Sequence, residues 1–598
     1  MNKKIVLFAI ILATVLGLNA IEYTLPKVLF VTTGDGDGRG TVSDGVILAL
    51  QEFNKSGAFM RLENRKILHD FPEMSQYQIM VLPTTFGYHD ADRRYSLSFL
   101  SDAEMRNIIN WVKNGGTLIS DVYLGRNSLS GEDRISKSGE LKTDNWILAE
   151  CFGVNLQEKN MENFYITKSN IDVWTSNITE KFDEPEWTPV VTEIVSNKAK
   201  VLANWDNEEV AYPAITQNKF FKGNTILLGN FNIIHPARDG GFSNTKEIQN
   251  FYHYAYTLAV DGRKYPIDLN PWKNGAQSTF CLTFDDGGSL LEYERVFDLI
   301  NQNNIKTTFF VTDNIEFEIK QRLLQENLIK IGGHSHTHPD FRTLSYPQTV
   351  TEFLVNKASF NIDFKGFRFP FTNNSFWGMM VMEELDYHYD TSIAINHLDF
   401  YRGSVFPYNI PIFKDGYYRS LDLLELSQNY HDDWYYFQDV LEDDDYNCDK
   451  QKRDSAKFDS YLKRLWERAI LPNHGLMVFL GHPMYSGISE ITLEPVKNMI
   501  QRAKESNAWI TNLDEVANYW NKLKDLKILI TEKENSVQIN FNLDDVKIIE
   551  NLSLRLQQKP KKIKFSKKYH FVENEAGLFI VLNSIGNGDV VEIQFVEK

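Results

Sequence analysis

The sequence predicts an α/β protein in three parts. An N-terminal unit is built on a parallel sheet, a central unit forms a (β/α) barrel or a deformed version of one, and a small all-β unit follows. Three observations predict this. Short apolar runs alternate with amphipathic helical patterns from Lys27 to about Val260, and again from 277 to 522. Between them, "DGRKYPIDLNPWKNGA" carries two prolines and little periodicity, and 261–276 reads as a linker. Beyond Lys522 the pattern becomes short alternating runs split by turn residues. A chain of 598 residues is also too long for one ordinary core.

The first element is "MNKKIVLFAIILATVLGLNA", 1–20, with Lys3 and Lys4, an apolar stretch from Ile5 to Leu18, then Ala20. That order is a secretory signal peptide, and its apolar stretch is short for a membrane span. The expectation is cleavage before Ile21 and export to the periplasm or the medium, with an uncleaved anchor as the alternative. Cleavage would leave no stable membrane span. Ala20 is not followed by Cys, so lipid attachment is not indicated.

The N-terminal unit is placed at 26–260. "KVLFVTT" is a buried strand leading into "GDGDGRG", and "YQIMVLPTT" is a second strand. Ser101 and Glu104 have capping-box spacing before a helical face of Met105, Ile108, Ile109 and Val112, and Gly115 ends it. "TLIS" and "NTILLGNF" supply further strands. This order resembles the class I glutamine-amidotransferase-like fold. Active members carry a Cys nucleophile on a sharp turn after the strand that follows Gly-Gly. Here the chain continues "SDVYLGRN", with Asp121 and Val122, so the resemblance implies a non-catalytic domain. "GDGDGRG" fails as a calcium loop, because Arg39 and Val46 stand where oxygen ligands belong. It reads as a plain loop, with a binding loop at the sheet edge as the alternative.

In the central unit, 277–522, "TFCLTF", "KTTFFVT", "LIKIGG", "GFRFP", "GLMVFLGHP" and "AWITN" are strands. "LLEYERVFDLINQN", "IEFEIKQRLLQE" and "LEPVKNMIQRAKES" are helices. The last unit, 525–598, reads as a small β-sandwich.

A formal charge of −17 opposes an electrostatic grip on nucleic acid or anionic lipid and suits a neutral or cationic substrate. Cys151, Cys281 and Cys448 form neither a disulfide framework nor a CxxC metal site. Cys281, inside an apolar run, reads as a buried thiol.

Four stretches in the central unit end predicted strands and carry chemistry: "TFDD" (Thr283–Asp286), "HSHTHPDF", "FRFPF" and "FLGHP". His334 and His338 are four residues apart, and on a helical turn both rings would share a face and could hold one divalent ion. Asp286 would complete a two-His, one-carboxylate set with open positions for water and substrate. Asp285 would stay free beside it as a general base, which gives two adjacent carboxylates separate tasks.

These stretches together resemble the polysaccharide deacetylases, the family 4 carbohydrate esterases with the NodB homology domain. "TFDD" matches the first motif, "HSHTH" the second and "RFPF" the third, with Phe371 where Tyr is frequent. "VFLGHP" supplies the His of the fifth, with Gly481 in place of an apolar residue. The resemblance implies Asp285 as base and Asp286, His334 and His338 as metal ligands. It implies Arg368 orienting Asp285, the Phe371 N–H holding the oxyanion, and His482 protonating the leaving amine. The fourth motif, which buttresses the catalytic His, is matched in no clear register. Asp390, Asp432 and Asp433 remain open for that place.

The function so implied is hydrolysis of N-acetyl (or O-acetyl) groups on an extracytoplasmic carbohydrate, by attack of a metal-bound water. Zn²⁺ suits the ligands, as do Fe²⁺, Co²⁺ and Mn²⁺. Hydrolysis of other carbon–nitrogen bonds, or an inactive glycan-binding relative, are the alternatives. The sequence fixes neither the glycan nor the oligomeric state.

Overall fold

The computed structural model describes residues 21–32, 38–84, 96–135, 146–161, 164–168, 179–181, 188–234, 245–395, 401–414, 417–439, 447–543 and 547–596. The expected signal segment and the first residues of "GDGDGRG" lie outside them. No helix among the described residues is long and apolar enough to cross a membrane.

The N-terminal sheet has the strand order Phe59–Glu63, Lys27–Val31, Ile79–Leu82, Thr117–Asp121, Gly223–Leu228, Ala211–Phe220, Lys200–Asp206, Tyr165–Lys168, Thr179–Lys181. The first five are parallel. The others add antiparallel, which corrects the parallel sheet expected from the sequence. The cause is local: only Phe221 and Lys222 separate Ala211–Phe220 from Gly223–Leu228, and so short a connection joins antiparallel neighbours. The helix Asp102–Lys113 carries its capping box, with Ser101 and Glu104 bonding reciprocally. It packs Met105, Ile108, Trp111 and Val112 beneath the sheet.

The central sheet positions the site. Its strands are β1 (Thr279–Asp285), β2 (Thr307–Val311), β3 (Ile329–Gly333), β4 (Gly366–Phe367), β5 (Tyr389–Asp390), β6 (Tyr408–Lys414), β7 (Tyr417–Glu425) and β8 (Leu476–Gly481). Their order is β6-β7-β5-β4-β3-β2-β1-β8, and Trp509–Ile510 also pairs with β1. All these pairs are parallel except β6 with β7. Isolated parallel bridges from Ala394 to Gln428 and from Gln428 to Val478 bring the chain after β7 against β8, at the opposite end of the row. The register sets Asp285 opposite Phe310, Gly333 opposite both Val311 and Phe367, and Phe284 opposite Gly481. The carboxyl ends of β1, β3, β4 and β8 therefore lie at one level.

The all-β part consists of two sheets around one apolar cluster. It draws in strands from outside 525–598. Ile21–Thr24 pairs with Lys527–Glu532, and Ile267–Leu269 pairs with Ile549–Leu556. The stretch read as a linker is thus a structural strap. Trp272 is fully buried in the central core, its ring parallel to that of Phe406 at 5.8 Å. The low periodicity of 261–276 reflects a single strand and a buried anchor, not solvent exposure.

Candidate active site

Strand β1 stops at Asp285, and the backbone bends at Asp286. Gly287 and Gly288 follow at φ of 101° and 113°, a region side chains rarely adopt. The bend frees the two carboxylates from the alternation of a strand. Asp285 Oδ1 accepts from Arg368 Nη1 at 2.6 Å, and Asp286 Oδ2 accepts from the Thr312 hydroxyl at 2.5 Å.

Arg368 has no exposed surface. Besides Asp285 it donates to Thr283 Oγ1 at 2.9 Å and to the Thr391 carbonyl at 3.1 Å, and its guanidinium lies over the Phe310 ring at 4.5 Å. Every residue of "TFDD" except Phe284 thus has a polar task. Burial pushes the Asp285 carboxyl up, but the Arg368 charge, joined by His334 and His482, holds it below the usual carboxylate range.

"HSHTH" is not helical, which corrects the helical-turn reading. Ser335 and His338 sit at φ of 80° and 56°, and the His338 N–H donates to Ser335 Oγ at 3.0 Å. Glu352 pins the loop by accepting from the N–H groups of His336 and Thr337 and from the Thr337 hydroxyl. The loop still brings the His334 and His338 rings to 5.1 Å. His334 Nδ1 lies 2.7 Å from the Arg368 carbonyl, to which it can only donate. In the neutral ring the lone pair is then on Nε2, 3.7 Å from Asp286 and 3.9 Å from Asp285. Burial, and then the His334 charge, lower the His338 pKa. His336 turns away and pairs with Asp313 at 2.6 Å.

His482 follows β8 directly. Of the three carboxylates left open by the sequence, Asp433 is its partner, with Oδ1 2.8 Å from Nδ1 and Oδ2 accepting the His482 N–H at 2.7 Å. Ser486 donates to the same carboxylate at 2.7 Å. Gly481 explains itself here, because a Cβ would lie 3.2 Å from Asp433 Oδ2 and 2.7 Å from the Phe479 ring. Burial alone would lower the His482 pKa, but Asp433 first, then Asp432 and Asp285, raise it to about 9. Asp390 is elsewhere, bonded to Ser392 and Glu425, and burial raises it to about 6. Asp432 caps the helix Asp433–Phe437 and lines the cavity.

Phe371 and Thr372 follow Pro370 with φ of 55° and 58°. Two successive left-handed residues, one β-branched, cost about 1–3 kcal/mol each. No described residue accepts the Phe371 N–H. Its ring, 62% exposed, stands edge-on to His338 at 4.5 Å. Asp285, Asp286, His334, His338, Phe371 and His482 line one cavity of about 670 Å³. Tyr430, Trp434 and Tyr435 form a partly exposed aromatic wall of it. Sequence reasoning missed that wall, and Thr312, because neither belongs to a spacing that signals chemistry.

Asp286, His334 and His338 each offer a ligand atom within 4.8 Å of the others. With the His334 tautomer fixed by the Arg368 carbonyl, this donor set fits a divalent ion.

Residues 273–389 match the family model described as polysaccharide deacetylase. Among curated proteins, a peptidoglycan-N-acetylglucosamine deacetylase of Bacillus cereus is 24% identical over 163 residues, 26% of this chain and 54% of its own length. A chitin deacetylase of Colletotrichum lindemuthianum is 30% identical over 91 residues, 14% of this chain and 36% of its own. The chain thus spans about half, or less, of the curated relatives it matches. Among solved structures, the carbohydrate deacetylase Agd3 aligns over 96% of this chain and 99% of its own, at 9% identity and a TM-score of 0.39.

Proposed function

We propose that the chain is a metal-dependent hydrolase that removes N-acetyl (or O-acetyl) groups from a carbohydrate outside the cytoplasm. One observation supports this above the others. An Arg-paired carboxylate, a two-His one-carboxylate set and an Asp-paired His face the same cavity.

Asp286, His334 and His338 would hold the ion, which would polarise the acetyl carbonyl as a Lewis acid. Asp285, kept ionised by Arg368, takes the proton of the attacking water. The Phe371 N–H faces the developing oxyanion. His482, kept protonated by Asp433, donates to the departing sugar nitrogen. The tyrosine and tryptophan faces suit the apolar face of a pyranose. In this reading the central sheet is a deformed barrel and the C-terminal sheets form a sandwich. The N-terminal unit is amidotransferase-like without a nucleophile, since Asp121 and Val122 end its fourth parallel strand. Export with cleavage before Ile21 belongs to the same proposal.

The test is an acetate-release screen over chitin oligomers, peptidoglycan, N-acetylglucosamine polymers and acetyl-xylan, with metal-stripped protein as control. Release from at least one glycan, lost on stripping and restored by Zn²⁺, is the expected result. No release from any of them would sink the reading.

The acid also predicts a pH profile. With His482 raised to about 9, it carries its proton below that value and loses it above. kcat/KM should therefore fall as pH rises through about 9. Asp433→Asn removes the largest favourable charge, so this limb should move to lower pH, toward the ordinary imidazole range. An unmoved limb would remove His482 from the acid's role.

A further inference from the structure

The glycine-rich "GDGDGRG" has no task in the chemistry above, yet its described end, Gly38–Gly40, does not face open solvent. Three successive carbonyls of the N-terminal unit accept hydrogen bonds from the central unit. Gly38 accepts from the Phe413 N–H at 3.2 Å, Arg39 from Asn374 Nδ2 at 2.9 Å, and Gly40 from the Tyr408 hydroxyl at 2.9 Å. Arg39 also forms an antiparallel bridge with Ile412 of β6.

The seat is too tight for side chains on either flank. A Cβ on Gly38 would lie 2.4 Å from the Phe413 carbonyl, and one on Gly40 would lie 2.9 Å from Ile410 and 3.1 Å from Ile393. Both glycines have positive φ, 79° and 105°. Alongside, Val42–Ser43 pairs with Tyr401–Arg402, Arg402 bridges Asp44 at 2.8 Å, and Thr32 bonds Tyr418. Gly38–Gly40 is thus fixed with respect to β6.

Asn374 connects this loop to the reacting end of the molecule. It is buried, and it ends the strained turn in which Phe371 and Thr372 hold left-handed φ values. The turn's own bonds run from Thr372 N–H to Phe369, from Asn373 N–H to Pro370 and from Asn374 N–H to Thr372. These are local bonds that a relaxed turn could exchange. The Asn374 side chain supplies an external anchor, on a carbonyl of another unit.

We propose that Arg39, through its main-chain carbonyl and Asn374, positions the Phe371 N–H, so that the N-terminal unit is part of the catalytic apparatus. Asn374 is a positioning residue: it touches no substrate and acts through the turn. The inference rests on the reading of Phe371 as an oxyanion donor.

The test compares Asn374→Ala with Asn374→Asp, the second nearly isosteric but without the donor. Chitin pentamer is the substrate and Zn²⁺-loaded full-length chain the enzyme. Both variants should lose kcat by about ten- to a hundredfold, less than the roughly hundred- to thousandfold that outright removal of an oxyanion donor costs. KM should stay within about twofold and bound Zn²⁺ should be unchanged; each variant loses a hydrogen bond at a buried position and should melt lower, so kcat is compared well below its melting range. Hydrogen exchange across 369–374 should rise in both. Wild-type kcat in either variant, or a loss that tracks metal content, would overturn the proposal. So would unchanged exchange, and that readout decides the matter even for a chain without deacetylase activity, a result that would sink the functional reading instead. Asp285→Asn serves as the inactive control.

Discussion

Asp285→Asn should reduce acetate release by about three orders of magnitude, in the range that a positioned general base contributes. The amide has the shape of the carboxylate and still offers Arg368 Nη1 an acceptor, but it cannot take the proton of water. Bound Zn²⁺ should persist, because Asp286, His334 and His338 are untouched. The substitution also removes the charge opposite Arg368, which is fully buried. Breaking a buried pair from one side costs about 3–5 kcal/mol, so a lower Tm should accompany the loss of turnover. Activity is therefore to be compared well below the variant's melting range. Wild-type turnover in this variant would place the base elsewhere.

His338→Ala should lose both metal and activity. It removes one of three protein ligands, so metal affinity should fall by more than the roughly 10- to 100-fold that loss of an outer-shell partner costs. It also removes the ring against which Phe371 stands at 4.5 Å. Equilibrium dialysis against Zn²⁺ checks the first effect, and unchanged stoichiometry would take His338 out of the ligand set. The two variants separate base from ligand: one keeps the ion and cannot use it, the other cannot hold it.

Much of the site could be read in the sequence because its parts end strands. "TFDD", "RFPF" and "FLGHP" each close an apolar run, and a parallel register brings such ends to one level. What could not be read depended on backbone conformation or on distance along the chain. The helical reading of "HSHTH" failed because Ser335 and His338 are left-handed, which spacing does not reveal. Asp433 could not be chosen over Asp390 and Asp432 because it lies 49 residues from His482, and only the packing of Asp433–Phe437 beside β8 selects it. The N-terminal sheet was legible where helices separate its strands and misread where a two-residue turn reverses the chain. In the 261–276 stretch, prolines and polar residues concealed Ile267–Leu269 and the buried Trp272.

The strand Ile21–Thr24 has a consequence for the order of folding. The Tyr23 hydroxyl bonds Glu532 across 509 residues of sequence. During synthesis this strand has no partner until Lys527–Glu532 has been made, so it settles late. The two all-β sheets gather Ile21–Thr24, Ile267–Leu269 and the strands from Lys527 to Gln594. A chain cut back past Thr24 would leave Lys527–Glu532 as a bare sheet edge, an open template for pairing with other chains.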